Sequence, residues 1–463
     1  MESKAVVRRI SSRFSVRSRG VAAAGSLVQL LSVAGLSEAG SPAAGWCLKP
    51  DMNLDRQIDI GDVPPFVDAV LTDTADPVAR CAADTTLDSL LDGHDVARMV
   101  EVMLDPDSDG DGIPDLYETD DGVFSGPTTT GSSPSSSDTD GDGLPDGDEV
   151  FDTLAGLDLH AMGASPVRQD LFVEVDWFDE SQGGPFHSHR PTAAVVASIT
   201  GAFAGSPVAN PYGAPNGISL HVDYGQGGAL TGGNLIPGGD FVVVFDSEFN
   251  TYKAANFAAN RSGYFHYSIF CHHYNSTSNF SSGFAEILGD DFVVSLQLTF
   301  FTPYIAQTMM HELGHNLGLL HGGNTNLNFK PSYNSVMNYR YQFDGADGAD
   351  CDAFGDLIID YSYGDRIALN ENNLDEAAGV CGSVAIDWDA SLTITAGVAR
   401  NVTCYSGFTT PCGILDPACG DRLCNPNLSD YNDWANLTLS GLTQGDRLSP
   451  EIITCQDTPA GAK

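Results

Sequence analysis

The chain has 463 residues, enough for two to four domains, and its 42% hydrophobic content supplies a real core. Lys and Arg number 21 against 62 Asp and Glu, a formal net charge of −41 that argues against nucleic acid or an anionic membrane surface as partner, since both demand a basic face. Much of this acidity falls in tight Asp-x-Asp-x-Asp clusters between residues 51 and 150, a distribution that points to calcium.

Lys4, Arg8, Arg9, Arg13, Arg17 and Arg19 form a basic leader, followed by a mostly apolar run over residues 21–36 and the small-residue stretch Ser37-Glu38-Ala39. This order resembles a secretory signal peptide over residues 1–39, so a secreted or cell-surface protein is expected. Ser26, Gln29 and Ser32 interrupt the apolar run, and no later segment is long and apolar enough to span a bilayer. The ten cysteines (47, 81, 271, 351, 381, 404, 412, 419, 424 and 455) are an even set, which in an exported chain predicts disulfides. Cys404, Cys412, Cys419 and Cys424 lack the C-x2-C pair of a cysteine zinc site, and pairing is not readable from spacing. Cys47 and Cys81 precede two similar repeats and are candidates to bridge each other.

Residues 47–104 hold the first duplication. Asp51, Asn53, Asp55, Asp59 and Asp62 precede the helix-like run VPPFVDAVL, and Asp84, Thr86, Asp88, Asp92 and Asp95 precede VARMVEVML. Oxygen side chains at positions 1, 3, 5, 9 and 12 are what a twelve-residue calcium loop needs, because alternate side chains converge on one ion. The pair resembles dockerin-type repeats, which implies a protein partner. It departs from the usual loop at position 6, where Arg56 and Ser89 replace glycine, and at position 12, where aspartate replaces glutamate. Residues 105–150 hold a second duplication: Asp107, Asp109, Asp111, Asp115 and Glu118, then Asp138, Asp140, Asp142, Asp146 and Glu149. These carboxylates would repel one another if crowded without a cation. The repeated Gly-Ile/Leu-Pro-Asp phasing resembles thrombospondin type 3 calcium repeats. Between the two units, residues 126–137 (GPTTTGSSPSSS) read as a flexible spacer.

From about residue 165 the texture is globular. Strands are expected over 170–177, 218–223, 241–245 and 292–298, and an amphipathic helix over 192–203, an interleaving that predicts an α/β domain. Thr302 and Pro303 read as an N-cap and a first-turn proline of a helix running through YIAQTMMHELGHNL. His311 and His315, four apart, project from one helical face, and Glu312 leans toward the same site. Gly318 permits a sharp turn that returns His321 as a third ligand. Three imidazoles leave one zinc position open for water, with Glu312 placed to accept its proton.

Downstream stands Ser335-Val336-Met337-Asn338-Tyr339. The long histidine motif with this methionine turn resembles the metzincin clan of zinc metallopeptidases. The resemblance implies an α/β metzincin-like catalytic domain over 165–455: a twisted mixed sheet, an active-site helix and a C-terminal subdomain, preceded by the small α/loop calcium repeats. It further implies Zn²⁺ and Ca²⁺ as cofactors, a protein or peptide substrate, Met337 as an apolar floor under the imidazoles, and Tyr339 as zinc ligand or oxyanion stabiliser. A softer similarity, to bacterial and archaeal secreted zinc peptidases, extends over HGGNTNLNFKPSYNSVMNYRYQF, IDYSYGDRIALNENNLDEAAGV and LSDYNDWANLTL. Residues 282–286 are a weak candidate for the edge strand that pairs with extended substrate.

The expected function is a secreted zinc endopeptidase with Glu312 as general base. Competing expectations are a calcium-dependent adhesion or docking protein with a secondary or inactive peptidase-like domain, and zinc-dependent hydrolysis of a non-peptide amide or ester. His272-His273 and His187-Ser188-His189 read as surface histidines, Ala79-Arg80-Cys81 as a disulfide site rather than a cysteine switch, and Asn275 and Asn401 as surface-loop positions.

Overall fold

The computed structural model describes residues 47–180, 187–238, 241–242, 247–274, 281–296, 301–404, 410–414, 419–420, 423–439 and 452–454. The leader over 1–39, Asn275, Cys455 and the ends of the strands expected over 241–245 and 292–298 lie outside the described residues.

The first repeats build three helices, α1 (Val63–Thr72), α2 (Pro77–Ala83) and α3 (Gly93–Met103). Asp76 caps α2 by accepting from Val78 N at 3.0 Å and Ala79 N at 2.9 Å. Asp92 and Asp95 form a reciprocal capping box on α3, which satisfies two otherwise orphaned backbone donors. Both loops reach their turned shape without glycine at position 6: Arg56 takes φ 61° and Ser89 φ 67°, left-handed values that L side chains adopt at a cost. Cys47 and Cys81 are bridged.

The acidic repeats add the short helices α4 (Asp146–Val150) and α5 (Leu159–Met162). Leu48, Val102, Ile113, Tyr117, Val150 and Phe151 form one apolar cluster, so both kinds of repeat contribute to a common core. The region read as a flexible spacer is ordered. Thr130 and Ser132 are fully buried, Thr130 N donates to Tyr117 O at 2.9 Å, and the Ser132 hydroxyl donates to Glu118 at 3.0 Å. Small hydroxyl residues are buried here because each donor has an acceptor in the first acidic repeat.

The remaining strands in chain order are β1 (Asp170–Trp177), β2 (Asp179–Glu180), β3 (His187–Ser188), β4 (Ser219–Asp223), β5 (Phe241–Val242), β6 (Phe265–Cys271), β7 (His273–Tyr274), β8 (Gly283–Glu286), β9 (Asp291–Ser295), β10 (Leu374–Asp375), β11 (Ala396–Val398) and β12 (Ile452–Thr454). Helices α6 (Ala193–Ala204), α7 (Ser247–Asn256) and α8 (Thr302–Asn316) are interleaved with them. Six strands form the central sheet in the order β12-β8-β9-β6-β1-β4. Strands β4, β1, β6 and β9 are mutually parallel, and β8 runs antiparallel to both of its neighbours, β9 and β12. The result is a mixed α/β fold with a parallel-dominated sheet.

Alternation along β1 explains the layering. Leu171, Val173, Val175 and Trp177 join Ile199 and Phe203 of α6 and Met309, Met310 and Leu313 of α8 in one core, each large aliphatic side chain contributing about 1.5–3 kcal/mol. A second core joins Tyr267, Ile269, Phe284 and Val293 with Phe249 of α7. Glu174 and Asp176 of β1 are fully buried and paired: Arg261 holds Glu174 at 2.5 Å and Asp223 at 2.7 Å, and the Tyr267 hydroxyl donates to Asp176 at 2.6 Å. Strand β6 and helix α7 have no counterpart in the sequence reading.

The segment after α8 has little regular structure. Leu369, Leu374, Trp388, Val398, Val402 and Leu428 give it a core, and Cys351–Cys381, Cys404–Cys419 and Cys412–Cys424 are bridged. Among the described residues no helix is long and apolar enough to cross a membrane.

Candidate metal centre

Helix α8 starts at Thr302 itself. Phe301 holds the N-cap position without a side-chain cap bond, so Thr302 is not the cap that its residue type suggested. Proline in the first turn lacks only a donor that would be orphaned in any case. The helix ends at Asn316, and Gly318 then adopts φ +96°, a left-handed value that glycine reaches without penalty. Two bonds tighten the exit, Gly318 N to His315 O at 2.9 Å and Leu319 N to Gly314 O at 2.8 Å.

This turn brings His321 back beside His311 and His315. Ring centroids lie 4.8 Å (311–315), 5.3 Å (311–321) and 4.9 Å (315–321) apart, and the ligand atoms lie within 4.8 Å of one another. Two tautomers are set by backbone carbonyls. His311 Nδ1 lies 2.7 Å from Val336 O, and His315 Nδ1 lies 2.7 Å from Leu319 O. An imidazole that donates from Nδ1 presents a lone pair at Nε2. Nε2 of His311 and of His321 is buried with no hydrogen-bond partner among the described residues. Burial pushes the His315 imidazole down to about 4. Burial and then the neighbouring histidines hold His311 and His321 well below the ordinary histidine range. All three are therefore neutral near pH 7, the form that binds metal.

Glu312 is fully buried on the same helix. Gly283 of β8 lies against it: a Cβ built there would stand 2.1 Å from Glu312 Oε1. Gly314 makes similar room beneath, where a Cβ would meet Met337 Sδ at 2.4 Å and the Tyr361 hydroxyl at 2.8 Å. Met337 is fully buried, and its turn is pinned by Met337 N to Ser335 Oγ at 3.1 Å and Val336 N to Asp360 O at 3.0 Å. The Tyr339 ring is half-buried, 4.2 Å from the His321 ring between centroids, and its backbone N–H donates to Asn328 Oδ1 at 2.9 Å.

The shell behind these residues was not read from the sequence. The Tyr361 hydroxyl donates to Met310 O at 2.6 Å, and the Tyr333 hydroxyl donates to Asp433 at 2.8 Å. Asp433 also accepts from Ser362 N at 3.0 Å, and Trp434 Nε1 donates to Asp360 at 3.0 Å. Residues of the two downstream segments with the softer similarity thus buttress the methionine turn. Gly283 and Gly314 carried no signal, because the side chains they make room for come from elsewhere in the chain. Strand β8, the candidate substrate edge, is not free: Ile452, Ile453 and Thr454 of β12 pair antiparallel with Glu286, Ala285 and Phe284.

The groups in the acidic repeats that can hold a cation include Asp107, Asp109 and Asp111; Asp138, Asp140 and Asp142; and Asp111, Glu118 and Asp146, which joins the two repeats. Gly147 allows that junction, since a Cβ there would lie 2.1 Å from Asp111 O. Burial, with adjacent carboxylates adding, pushes Asp146 up to about 7, Asp111 to about 8, and Glu118 and Asp140 to about 9. Glu149 is fully buried, and neither carboxylate oxygen has a partner among the described residues. Asp115 is turned to its own loop, accepting from Ser108 N at 2.8 Å. The second acidic repeat is fastened to the sheet, because Asp142 accepts from Asp170 N at 2.6 Å and Gln169 donates to Asp140 O at 3.0 Å.

In the first pair of loops the position-12 carboxylates are turned inward. Asp62 accepts from Met52 N at 2.7 Å and Asp59 N at 2.9 Å, and Asp95 accepts from Thr86 N at 3.1 Å and Asp92 N at 2.9 Å. Asp51 and Asp84 accept from the position-6 N–H groups of Arg56 and Ser89 at 2.9 and 3.0 Å. Asp55 and Asp88 accept within their own loops, from Gln57 N and Leu90 N at 2.9 Å each, and Asn53 Nδ2 donates to Asp55 at 2.9 Å.

No known family's sequence model matches the chain, and no curated protein or solved structure matches it.

Proposed function

We propose that the chain is an exported zinc endopeptidase of the metzincin type that hydrolyses protein or peptide substrates, with His311, His315 and His321 holding the ion and Glu312 as general base. One observation carries the reading: three buried, neutral imidazoles face one another, two of them oriented by backbone carbonyls, directly beside a buried carboxylate. A zinc ion bound there supplies Lewis acidity toward a water and a substrate carbonyl. Glu312 takes the proton released as water attacks and returns it to the leaving amine. Tyr339 donates a hydrogen bond to the oxyanion that develops. Met337 keeps the underside of the imidazoles dry and fixes their height.

Calcium in the acidic repeats would offset the repulsion among their buried carboxylates and stiffen the segment that enters β1. The bridged cysteines favour an oxidising compartment, in keeping with secretion or display at the cell surface. Exposed apolar side chains on the first repeats, among them Ile60, Leu71 and Leu104, fit a protein partner docked on that segment.

The test is Glu312→Gln in the full chain, assayed on a quenched peptide library with zinc content measured in parallel. Cleavage lower by at least about 10³-fold with zinc retained is expected. Unchanged cleavage would remove Glu312 from the mechanism, and a folded wild-type chain that takes no zinc would end the enzymatic reading.

A further inference from the structure

The histidines at 187, 189 and 272, which look like separate surface residues in the sequence, lie together. Ring centroids are 4.7 Å (187–189), 5.4 Å (187–272) and 5.7 Å (189–272) apart, and one nitrogen from each lies within 4.8 Å of the others. The cause is sheet register. Phe178, just past β1, donates its N–H to Phe270 O in β6 at 3.0 Å, and its carbonyl accepts from His189 N at 3.0 Å. A single residue thus ties the β2–β3 hairpin to the end of β6, and His272 follows that end directly. Pairing of Glu180 with His187 holds the other arm of the hairpin.

We propose that His187, His189 and His272 form a second metal site, for a divalent transition ion such as zinc. His187 is 7% exposed, and His189 Nε2 is buried with no hydrogen-bond partner among the described residues. Three imidazoles gathered this closely can each offer one nitrogen to a common cation. An all-imidazole donor set suits zinc, copper, nickel or cobalt and not calcium or magnesium, which take oxygen. Zinc–nitrogen bonds of about 2.0–2.1 Å put tetrahedral ligand atoms roughly 3.4 Å apart, so side-chain rotations close the site around the ion. A cavity of about 100 Å³ is bordered by His187, His189, Arg190 and Thr192.

This site is separate from the one on α8. Thr302 and Ile305, in the first turn of α8, border the cavity. His311 lies further along that helix by about 9–13 Å at 1.5 Å per residue. An ion at the second site would staple the β2–β3 excursion to β6 and so fix the entrance to α6, whose N-cap is Thr192.

The full chain is stripped with chelator, refilled with zinc chloride in calcium buffer, freed of unbound ion, and its zinc counted by mass spectrometry. His189→Ala with His272→Ala should lower the count by one per chain, while His311→Ala with His315→Ala removes a different ion. If the α8 cluster takes no zinc, the wild-type count is one and still falls to zero in the first variant. An unchanged count in the folded first variant overturns the proposal. Should that variant not fold, acylation of histidines in the wild-type chain decides. Zinc is expected to slow modification of the peptides carrying His187, His189 and His272 at least about tenfold, and equal modification with and without zinc overturns the site.

Discussion

Replacing Gly283 by alanine should separate catalysis from folding. The added Cβ would stand 2.1 Å from Glu312 Oε1, 2.5 Å from Cδ and 2.8 Å from Cγ, whereas ordinary contact begins at 3.4 Å. The carboxyl group must therefore retreat by about 1.3 Å (3.4 − 2.1). Gly283 is not among the positive-φ positions, so alanine is tolerated by the backbone, and its pairing with Val294 in β9 needs no side chain. The side chain that yields is fully buried, so the overpacking costs about 1–3 kcal/mol, small enough for a chain of this size to stay folded. Moving a general base by about 1 Å costs on the order of 10²-fold in rate, or about 2.7 kcal/mol of transition-state stabilisation. The expected result is kcat down by about that factor, KM and zinc content nearly unchanged, and Tm within a few degrees of wild type. Full activity in Gly283→Ala, with Glu312→Gln inactive, would refute the placement of the base against β8.

Calcium-free protein should lose stability as pH rises. Asp146, Asp111, Glu118 and Asp140 have folded values of about 7 to 9, above those of the unfolded chain, so the folded state holds extra protons between about pH 4 and pH 9. The stability they contribute is complete below about pH 4, falls progressively as pH rises and is lost once pH has passed through the folded values of about 7 to 9; a calorimetric Tm that falls between about pH 4 and pH 9 in chelator, and flattens in saturating calcium, is expected, and a Tm that rises would contradict the reading. Glu149→Gln removes a buried carboxyl group whose oxygens have no partner among the described residues, and with it the cost of ionising that group, so it should raise the Tm in chelator at pH 8 and shrink the rise on adding calcium. Deleting residues 447–463 frees the edge of β8 that Ile452–Thr454 occupy, and should lower KM for extended peptides several-fold with kcat unchanged; an unchanged KM would mean that substrate does not add to this edge.

What the sequence disclosed and what it concealed divide along a physical line. The α8 cluster was legible because its geometry is local: a four-residue spacing on one helix, then a glycine at φ +96° returning His321. Carboxylates at alternate positions in the acidic repeats were legible for the same reason. The partners of these groups were not. The Val336 carbonyl that orients His311, the room left by Gly283 and Gly314, and the Tyr333–Asp433 bond all depend on which distant segment lies alongside. Strand β6 (FHYSIFC) is buried along its whole length, so its polar members His266 and Ser268 do not mark a solvent face. Burial also reverses a compositional argument. Thr130 and Ser132 belong to a segment polar enough to read as a linker, yet they are ordered because Tyr117 and Glu118 offer acceptors in the core. The histidines at 187, 189 and 272 extend the point: their convergence is made by the backbone bonds of Phe178, a residue that bears no chemistry of its own.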